Sequence, residues 1–308
     1  MTEARGPGDP RARVLVVGDL VTDVLAVLAG PLAVASDTPA AIRLTGGGQA
    51  ANTAAWLAAG GVPVTLVAVV GDDAAGETRL AELAGAGVDL AVRRCPHIPT
   101  GTVIVLAHGD ERSMVADRGA NLELRPSDVD AALAAWPDVR HLHLSGYPLL
   151  QPRTRPAARH ALAAARDRGM TTSVDAASAR PLRDAGAPEF LRWIQGVDLL
   201  LANVDEAAVL GLATGPGRRP PARWPVRHLV VKRGSAGATW YAPDVTVTQA
   251  AHPAQVRDPT GAGDAFAAGL LAAWAGGADP AAALAAAGRL GAAAVGTVGA
   301  RPAPGSTR

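Results

Sequence analysis

The sequence is poor in cysteine, lysine and net charge. Cys95 is the single cysteine among 308 residues, which excludes an internal disulfide framework and a cysteine-based zinc site. Lys and Arg together number 29 and Asp and Glu 28, so the net charge is +1. This balance excludes the strongly basic surface that a nucleic-acid-wrapping protein needs. We therefore expect no nucleic-acid partner, and one unpaired cysteine is typical of a reducing cytoplasm.

Membrane-spanning and targeting segments are also missing from the sequence. The longest apolar tract, residues 265–298, is mostly Ala and Gly and is interrupted by Asp279, Pro280 and Arg289. Such a tract predicts packed helices rather than a membrane span. Residues 1–12 have no apolar stretch of the kind found in signal peptides, so we predict a disordered start there and a short tail over residues 303–308. The expected location is the cytoplasm, without membrane contact.

The remaining chain alternates between apolar runs and helical patterns. Residues 64–70 form a nearly unbroken apolar run, and residues 13–17, 139–144 and 197–201 are further predicted strands rich in apolar residues. Such strands are expected to be covered on both faces. Helical segments between them favour a mostly parallel sheet with helices on either side, a three-layer α/β/α fold. In such sheets, ligands bind at the carboxyl ends of the strands. We expect one domain over residues 13–302.

Helix starts are predicted from local signals. One helix is expected over residues 52–59, ahead of Gly60-Gly61, and another over residues 77–84, ahead of Gly85. Ser127, directly after Pro126, is the predicted N-cap of a helix that continues to about residue 135.

Two segments do not fit a helix-covered sheet. Residues 23–45 contain short β-like pieces and turns, and residues 98–118 alternate in hydrophobicity around a turn at His108-Gly109-Asp110, which predicts a hairpin. We interpret the two segments together as a small, discontinuous β-lid over the strand ends.

The most informative motif is residues 258–266, Asp-Pro-Thr-Gly-Ala-Gly-Asp-Ala-Phe, which opens a long apolar helix. Gly261 and Gly263 leave backbone N–H groups bare at a helix N-terminus, where an anion can bind. A carboxylate beside that anion, Asp264, is suited to accept a proton from an attacking hydroxyl. The alternative is an ordinary turn with an acidic residue in the first helical turn.

Three further motifs precede or follow predicted elements. Gly46–Asn52 could let backbone approach a ligand, with Asn52 suited to sugar hydroxyls, or could be a flexible turn with an N-cap. Asn203-Val204-Asp205-Glu206 is either a capping box or a site where Glu206 holds a Mg²⁺-bound water. Residues 230–237 form either a β-turn or a close approach to a nucleotide phosphate. No Walker-type phosphate loop is present, and the first predicted strand is not followed by the dinucleotide-binding glycine pattern.

The order of these motifs resembles the PfkB (ribokinase-like) family of carbohydrate kinases over residues 13–302. The resemblance implies a ribokinase-like fold, with Mg²⁺ and ATP as cofactors and a sugar hydroxyl as acceptor. It implies that Asp264 is the general base and that an anion hole is formed by Gly261, Ala262 and Gly263. The other implied roles fall into three groups. The residues implied to bind the sugar are Asp23, Gly47, Gly48 and Asn52. Those implied to bind the nucleotide are Asn203, Glu206, Lys232, Gly234 and Gly237. Asp258 and Thr260 match positions that border a monovalent-cation (K⁺) site in the ribokinase branch.

Departures from the ribokinase pattern bear on the acceptor. Val21 stands where ribokinases have Asn, Gln49 where they have Lys, and Ser145 where they have Glu, so ribose itself is disfavoured. The lid segments contain no aromatic residue to stack a nucleoside base, and Asp117 stands where keto-deoxy-gluconate kinases have Arg. We therefore expect a small, neutral sugar, with a nucleoside kinase, a keto-deoxy-gluconate-type kinase and a non-catalytic sugar or nucleotide sensor as alternatives. Members of this family dimerise through lid strands, which makes a homodimer a further expectation.

Overall fold

The computed structural model describes residues 12–108, 111–212 and 225–302. Within these residues the strands are β1 Arg13–Val17, β2 Val21–Leu28, β3 Ala40–Gly47, β4 Val64–Gly71, β5 Asp89–Cys95, β6 Gly101–His108, β7 Glu111–Asp117, β8 Val139–Ser145, β9 Thr171–Asp175, β10 Val197–Asn203, β11 Val226–Lys232, β12 Ala238–Tyr241 and β13 Thr246–Gln249. The α-helices of the same residues are α1 Gln49–Ala59, α2 Ala74–Gly85, α3 Pro126–Ala135, α4 Tyr147–Leu150, α5 Arg155–Asp167, α6 Ala179–Ala185, α7 Ala187–Trp193, α8 Val204–Val209, α9 Ala262–Ala275 and α10 Pro280–Val295.

A nine-stranded sheet forms the centre of the molecule. Its strand order is β13-β12-β11-β10-β9-β8-β1-β4-β5. All neighbouring strands from β11 to β5 are parallel, whereas β12 and β13 add an antiparallel edge. The predicted mostly parallel sheet is therefore confirmed, and its parallel strands have their carboxyl ends along one edge.

Helices cover both faces of this sheet, as the apolar strands predict. Every residue of β4 is buried, because side chains of both orientations meet helices. One apolar core lies between the sheet and α1, α2, α9 and α10, and a second core lies between the sheet and helices from α3 to α8. The three-layer α/β/α architecture is confirmed.

Helix boundaries differ from the predicted ones. The first helix begins at Gln49 rather than residue 52, and α2 begins at Ala74 because the Asp73 carboxylate accepts from the Gly76 amide at 2.7 Å. The prediction of Ser127 as an N-cap is wrong. Arg125 occupies that position, and the Asp128 side chain reaches back to the Arg125 amide at 2.9 Å.

A second sheet lies apart from the central one. Its four strands are ordered β3-β2-β6-β7, with β2 parallel to β6 and antiparallel pairs on either side. The hairpin predicted around residue 109 is the β6–β7 pair. The two sequence segments taken as a lid thus form one continuous sheet.

The disordered start predicted over residues 1–12 lies outside the described residues except for Ala12, which is buried. The tail predicted over residues 303–308 also lies outside the described residues. Among the described residues, no helix combines the length and the apolar character that crossing a bilayer requires.

Candidate active site

The carboxyl ends of the parallel strands collect the polar groups of the site. Asp19 follows β1, Asp175 ends β9, Asn203 ends β10 and Lys232 ends β11. The amino-terminal end of α9 lies beside them, since a Cβ atom at Gly263 would be 3.5 Å from the Lys232 Nζ. Groups separated by more than 200 residues in sequence, such as Asp19 and Gly263, therefore meet at one edge of the sheet.

Gly261 begins α9 in a backbone conformation that favours glycine. Its φ is +75°, and a Cβ atom there would lie 2.4 Å from the carbonyl oxygen of Ala300. The tight turn places the first-turn amides of α9 at the site, where amides without intrahelical partners can bind an anion. The Ala262 amide already donates to the Pro259 carbonyl at 3.3 Å, which leaves the amides of Gly263 and Asp264 as the better-placed donors.

Asp264 projects from this first turn and accepts a hydrogen bond from Asn52 Nδ2 at 2.9 Å. Asp264 is half-buried. Burial raises the pKa of Asp264 to about 8, against the lowering effect of the Asn52 hydrogen bond. A carboxyl with this pKa can both accept and release a proton near neutral pH.

The predicted sugar-binding residues form one cluster beside Asp264. A Cβ atom at Gly47 would lie 2.2 Å from the Asp23 carboxyl, and one at Gly48, with φ +100°, would lie 2.5 Å from the Asp19 carbonyl oxygen. Burial raises the pKa of Asp23 to about 6, and the negative charge of the nearby Asp19 contributes to the rise. Asn52 lies on α1 and links this cluster to Asp264.

The positions that depart from the ribokinase pattern are joined by hydrogen bonds. Ser145 Oγ donates to Gln49 Oε1 at 2.7 Å, and Gln49 Nε2 donates to Asp175 Oδ1 at 2.9 Å. The other oxygen of Asp175 accepts from Lys232 Nζ at 2.7 Å. The neutral Gln49–Ser145 pair thus lies between the sugar cluster (Asp23, Gly47, Gly48 and Asn52) and the buried ion pair of Asp175 and Lys232.

Asn203 and Glu206 form the predicted capping box at the start of α8. The two oxygens of Glu206 accept from the Asn203 backbone and side-chain nitrogens, both at 2.7 Å, and the Glu206 amide donates to Asn203 Oδ1 at 2.9 Å. Burial raises the pKa of Glu206, and the nearby Lys232 opposes the rise. Burial alone would lower the pKa of Lys232, but Asp175 and Glu206 keep it above its ordinary value.

An elongated, mainly apolar cleft of about 530 Å³ opens next to Gly263. This volume falls in the range of roughly 300–1,000 Å³ that is typical of small-molecule sites. Gly237 has φ +87°, and a Cβ atom there would lie 2.0 Å from the Gln249 carbonyl oxygen. The cleft is lined by Lys232, Gly234, Ser235, Gly237, Pro253, Val256, Phe266, Leu284, Gly288 and Val295, among others.

Asp258 lies under the turn that leads into α9. It is buried, and its carboxylate accepts from the Thr260 amide at 2.9 Å and from the Gly299 amide at 3.0 Å. These bonds tie the turn to the segment after α10. Whether Asp258 and Thr260 border a cation site stays a prediction.

Sequence reasoning missed three residues of the site. Asp19 accepts from the amides of Gln49 and Ala50, both at 3.3 Å, and Asp175 holds Lys232 and Gln49. Asp175 ends a strand and Asp19 lies two residues after one, a position that could have identified both acids. Arg301 contacts Asn52 and Gly47, but its position in a Gly- and Pro-rich segment gave no signal.

The residues present fit a nucleotide better than a protein-bound metal. The cleft ends at the α9 amides and the Lys232 ammonium, which suit phosphate oxygens. In the described ranges no group of three or more His, Cys, Asp or Glu could hold a metal ion. Any Mg²⁺ would therefore depend on phosphate oxygens and water for most of its ligands, which is its usual mode of binding.

Comparison with known proteins decides the family. A sequence model described as pfkB family carbohydrate kinase matches residues 11–306. The chain belongs to the pfkB family. Its fold agrees, because adenosine kinase from Sinorhizobium meliloti superposes with a TM-score of 0.83 at 24% identity, covering 95% of this chain and 96% of that one.

Two curated relatives of this pfkB protein are named kinases. It is 34% identical over 265 residues to an ATP-dependent ribose-1-phosphate kinase of Halopiger xanaduensis, covering 85% of this chain and 84% of the relative. It is 29% identical over 288 residues to a 2-dehydro-3-deoxygluconokinase of Thermoproteus tenax, covering 91% and 87%. A solved E. coli structure in complex with ATP and Mg²⁺ superposes with a TM-score of 0.79 at 24% identity, covering 94% of each chain.

The family model and the two named relatives establish a phosphotransferase with a hydroxyl acceptor, a kinase of the pfkB family. Membership of this family narrows the acceptor to a sugar or a nucleoside.

Proposed function

We propose that this pfkB protein transfers the γ-phosphoryl group of ATP to a hydroxyl of a small carbohydrate, with Asp264 as the general base. One observation carries the proposal. Gly263 lines the nucleotide-sized cleft, and the next residue, Asp264, bonds to Asn52 of the sugar cluster. The two halves of the site therefore meet at consecutive residues of one helical turn.

Asp264 accepts the proton of the acceptor hydroxyl as its oxygen bonds to the γ-phosphorus. The bond from the γ-phosphorus to the bridging oxygen of the leaving ADP breaks. The amides of Gly263 and Asp264, the Gly261 turn that aims them and the Lys232 ammonium stabilise the negative charge of the transferring group. Since the protein forms no covalent bond to the substrate, positioning and charge stabilisation account for most of the rate.

The nucleotide lies along Gly234 and Gly237, with Asn203 and Glu206 near its phosphates. Mg²⁺, when bound, neutralises phosphate charge. Glu206 is assigned to a water of that ion, although both of its oxygens already accept from Asn203. Asp258 and Thr260 remain assigned to a K⁺ site, which a K⁺ dependence of turnover tests.

The acceptor side favours a compact, neutral sugar. Asp23, Asn52 and the backbone at Gly47 and Gly48 supply hydrogen-bonding groups, and the Gln49–Ser145 pair is uncharged. Tyr147 lines a small pocket with Asp19 and Arg118, and one face of its ring is covered by the Arg118 guanidinium, 3.9 Å from the ring centroid. That face cannot stack a nucleoside base.

Ribose 1-phosphate is a second candidate acceptor. The relative at 34% identity is named for this substrate. Arg118 adds a structural reason, because its guanidinium lies beside Asp19 at 3.5 Å and could instead bind a phosphate. This contact with Asp19 brings Arg118 next to the residues that we assign to sugar binding.

A coupled assay of ADP formation with Mg²⁺ tests the proposal. The panel contains neutral pentoses and hexoses, ribose 1-phosphate, 2-dehydro-3-deoxygluconate and nucleosides, each with and without K⁺. We expect acceptor-dependent turnover with one carbohydrate. Turnover with a neutral sugar favours the first candidate, and turnover with ribose 1-phosphate favours the second. Turnover with nucleosides alone contradicts the carbohydrate assignment.

A further inference from the structure

We propose that Arg301 is a positioning residue for phosphoryl transfer, which orients the Asn52 amide so that Asn52 donates to Asp264. The inference rests on the proposed function, because it assigns Asp264 the role of base. It concerns a residue that follows α10 and lies 37 residues beyond Asp264 in sequence.

All three guanidinium nitrogens of Arg301 have partners in the site. Nε donates to Asn52 Oδ1 at 3.1 Å, and Nη2 donates to the Gly47 carbonyl at 3.0 Å. Nη1 lies 3.3 Å from Glu82 Oε2 on α2. The Arg301 side chain is 14% exposed, so these bonds form away from bulk water. A single guanidinium thus joins α1, β3 and α2.

The chemistry of the two side chains determines which way the Asn52 amide faces. Arginine has only donors, so the Asn52 group that faces Arg301 must be its carbonyl oxygen. The NH₂ group of Asn52 is then directed at Asp264 Oδ2, 2.9 Å away. Without Arg301, the amide could rotate and present its oxygen to Asp264, where it would favour a protonated carboxyl.

A short segment after α10 holds Arg301 in this place. The Gly299 amide donates to Asp258 Oδ2 at 3.0 Å, and the Ala300 carbonyl accepts from Trp56 Nε1 on α1 at 3.0 Å. Ala300 also packs against Gly261, which has no side chain to displace it. The segment therefore connects the turn that begins α9 with the helix that carries Asn52.

Charged groups from every neighbouring element act on Asp264, so the effect of Arg301 has to be separated from theirs. Asp19 after β1 and Asp175 of β9 raise the pKa of Asp264, whereas Lys232 of β11 and the Asn52 hydrogen bond lower it. Arg301 is itself close enough to interact with Asp264, and its own pKa is lowered to about 10 by burial, with Glu82 opposing. Arg301 thus lowers the pKa of Asp264 directly by its charge and indirectly through Asn52.

Arg301→Lys and Arg301→Gln separate these two effects. Lysine keeps a positive charge but not the planar fork that spans three acceptors, and glutamine keeps an N–H donor without the charge. We expect kcat to fall about 10- to 100-fold in both variants, since small misplacements of reacting groups have effects of this size. The acidic limb of the kcat/KM–pH profile is expected to move to higher pH, and to move further in Arg301→Gln, which also loses the charge, than in Arg301→Lys. MgATP affinity is expected to stay near that of the wild type in both.

A double-mutant cycle shows whether Arg301 acts through Asn52. In an Asn52→Leu background there is no amide to orient, so adding Arg301→Gln should change kcat by less than about threefold. Arg227→Ala is the matched control, because Arg227 is 69% exposed at the amino end of β11, away from the site. Thermal unfolding of each variant reports whether the fold is retained.

The outcomes separate the inference from the proposed function. Full kcat and an unchanged pH profile in both Arg301 variants overturn the inference while the kinase assignment stands. An equal loss from Arg301→Gln with and without Asn52 overturns the route through Asn52. A wild type that is inert with every acceptor overturns the proposed function and the inference together.

Discussion

Asp264 is a carboxylic acid whose surroundings oppose its ionisation. Burial raises its pKa to about 8, and burial also raises the pKa of Asp23, to about 6. Asn52, Lys232 and Arg301 counteract this effect only in part. A base of this kind has a high proton affinity, which suits the removal of a proton from a hydroxyl.

Because of this environment, we expect kcat/KM to increase with pH. Because Asp264 must be ionised to accept a proton, kcat/KM should rise about tenfold per pH unit at lower pH and level off above pH about 8. Initial rates between pH 5.5 and 9.5 at subsaturating acceptor measure the profile. A profile that is flat down to pH 6 contradicts Asp264 as the base.

At the residue scale, sequence reasoning succeeds where a role depends on neighbours in the chain. Gly261, Gly263 and Asp264 form one contiguous motif, and Asn203 and Glu206 cap one helix three residues apart. The Gln49–Ser145–Asp175 network and the Arg301–Asn52 contact join residues 96 to 249 positions apart. Only the folded chain brings those partners together, so no local pattern predicts them.

At the scale of the element, α9 is the helix on which the proposed mechanism depends. Its start is fixed by the positive φ of Gly261 and by close contact with Ala300, and its first turn supplies both amides and the base. The motif over residues 258–266 and the long apolar pattern after it predicted this helix but not its first residue, which is Ala262. The turn that sets the boundary depends on the segment after α10, which periodicity cannot show.

Two glycine substitutions separate backbone strain from contact at this turn. Gly169, after α5, has φ +68° with open space around its Cα, so Gly169→Ala should lower the free energy of unfolding by about 1 kcal/mol. Gly261→Ala has the same strain and adds a clash with the Ala300 backbone, so we expect a larger loss of stability and a lower kcat. Urea unfolding and turnover measure both. Equal stability and full turnover in the two variants contradict the proposed role of the turn.

At the scale of the molecule, the second sheet has an apolar row on its surface. Leu44, Val24, Ile104 and Val115 lie directly opposite one another across its four strands. Leu44 is 67% exposed, Ile104 41% and Val115 60%. Contiguous exposed apolar surface is typical of interaction sites. We propose that a second copy of the chain covers this row.

Lysine substitutions in the apolar row test whether the chain forms this dimer. Leu44→Lys and Ile104→Lys should convert a dimer to a monomer, because a lysine facing an apolar partner surface is costly to bury. Val245→Lys is the control, since Val245 is 44% exposed outside the second sheet. Sedimentation equilibrium gives the mass of each. A monomeric wild type, or variants that remain dimeric, contradicts the assignment of this surface.

The most direct test of the central claim compares ATP turnover by the wild type and by Asp264→Asn with the best acceptor. Asparagine has nearly the same shape but cannot accept the proton, so kcat should fall about 10²- to 10⁴-fold. Titration calorimetry should show retained MgATP binding, because the cleft and the α9 amides are unchanged. A variant that keeps more than about a tenth of the wild-type kcat would contradict Asp264 as the general base.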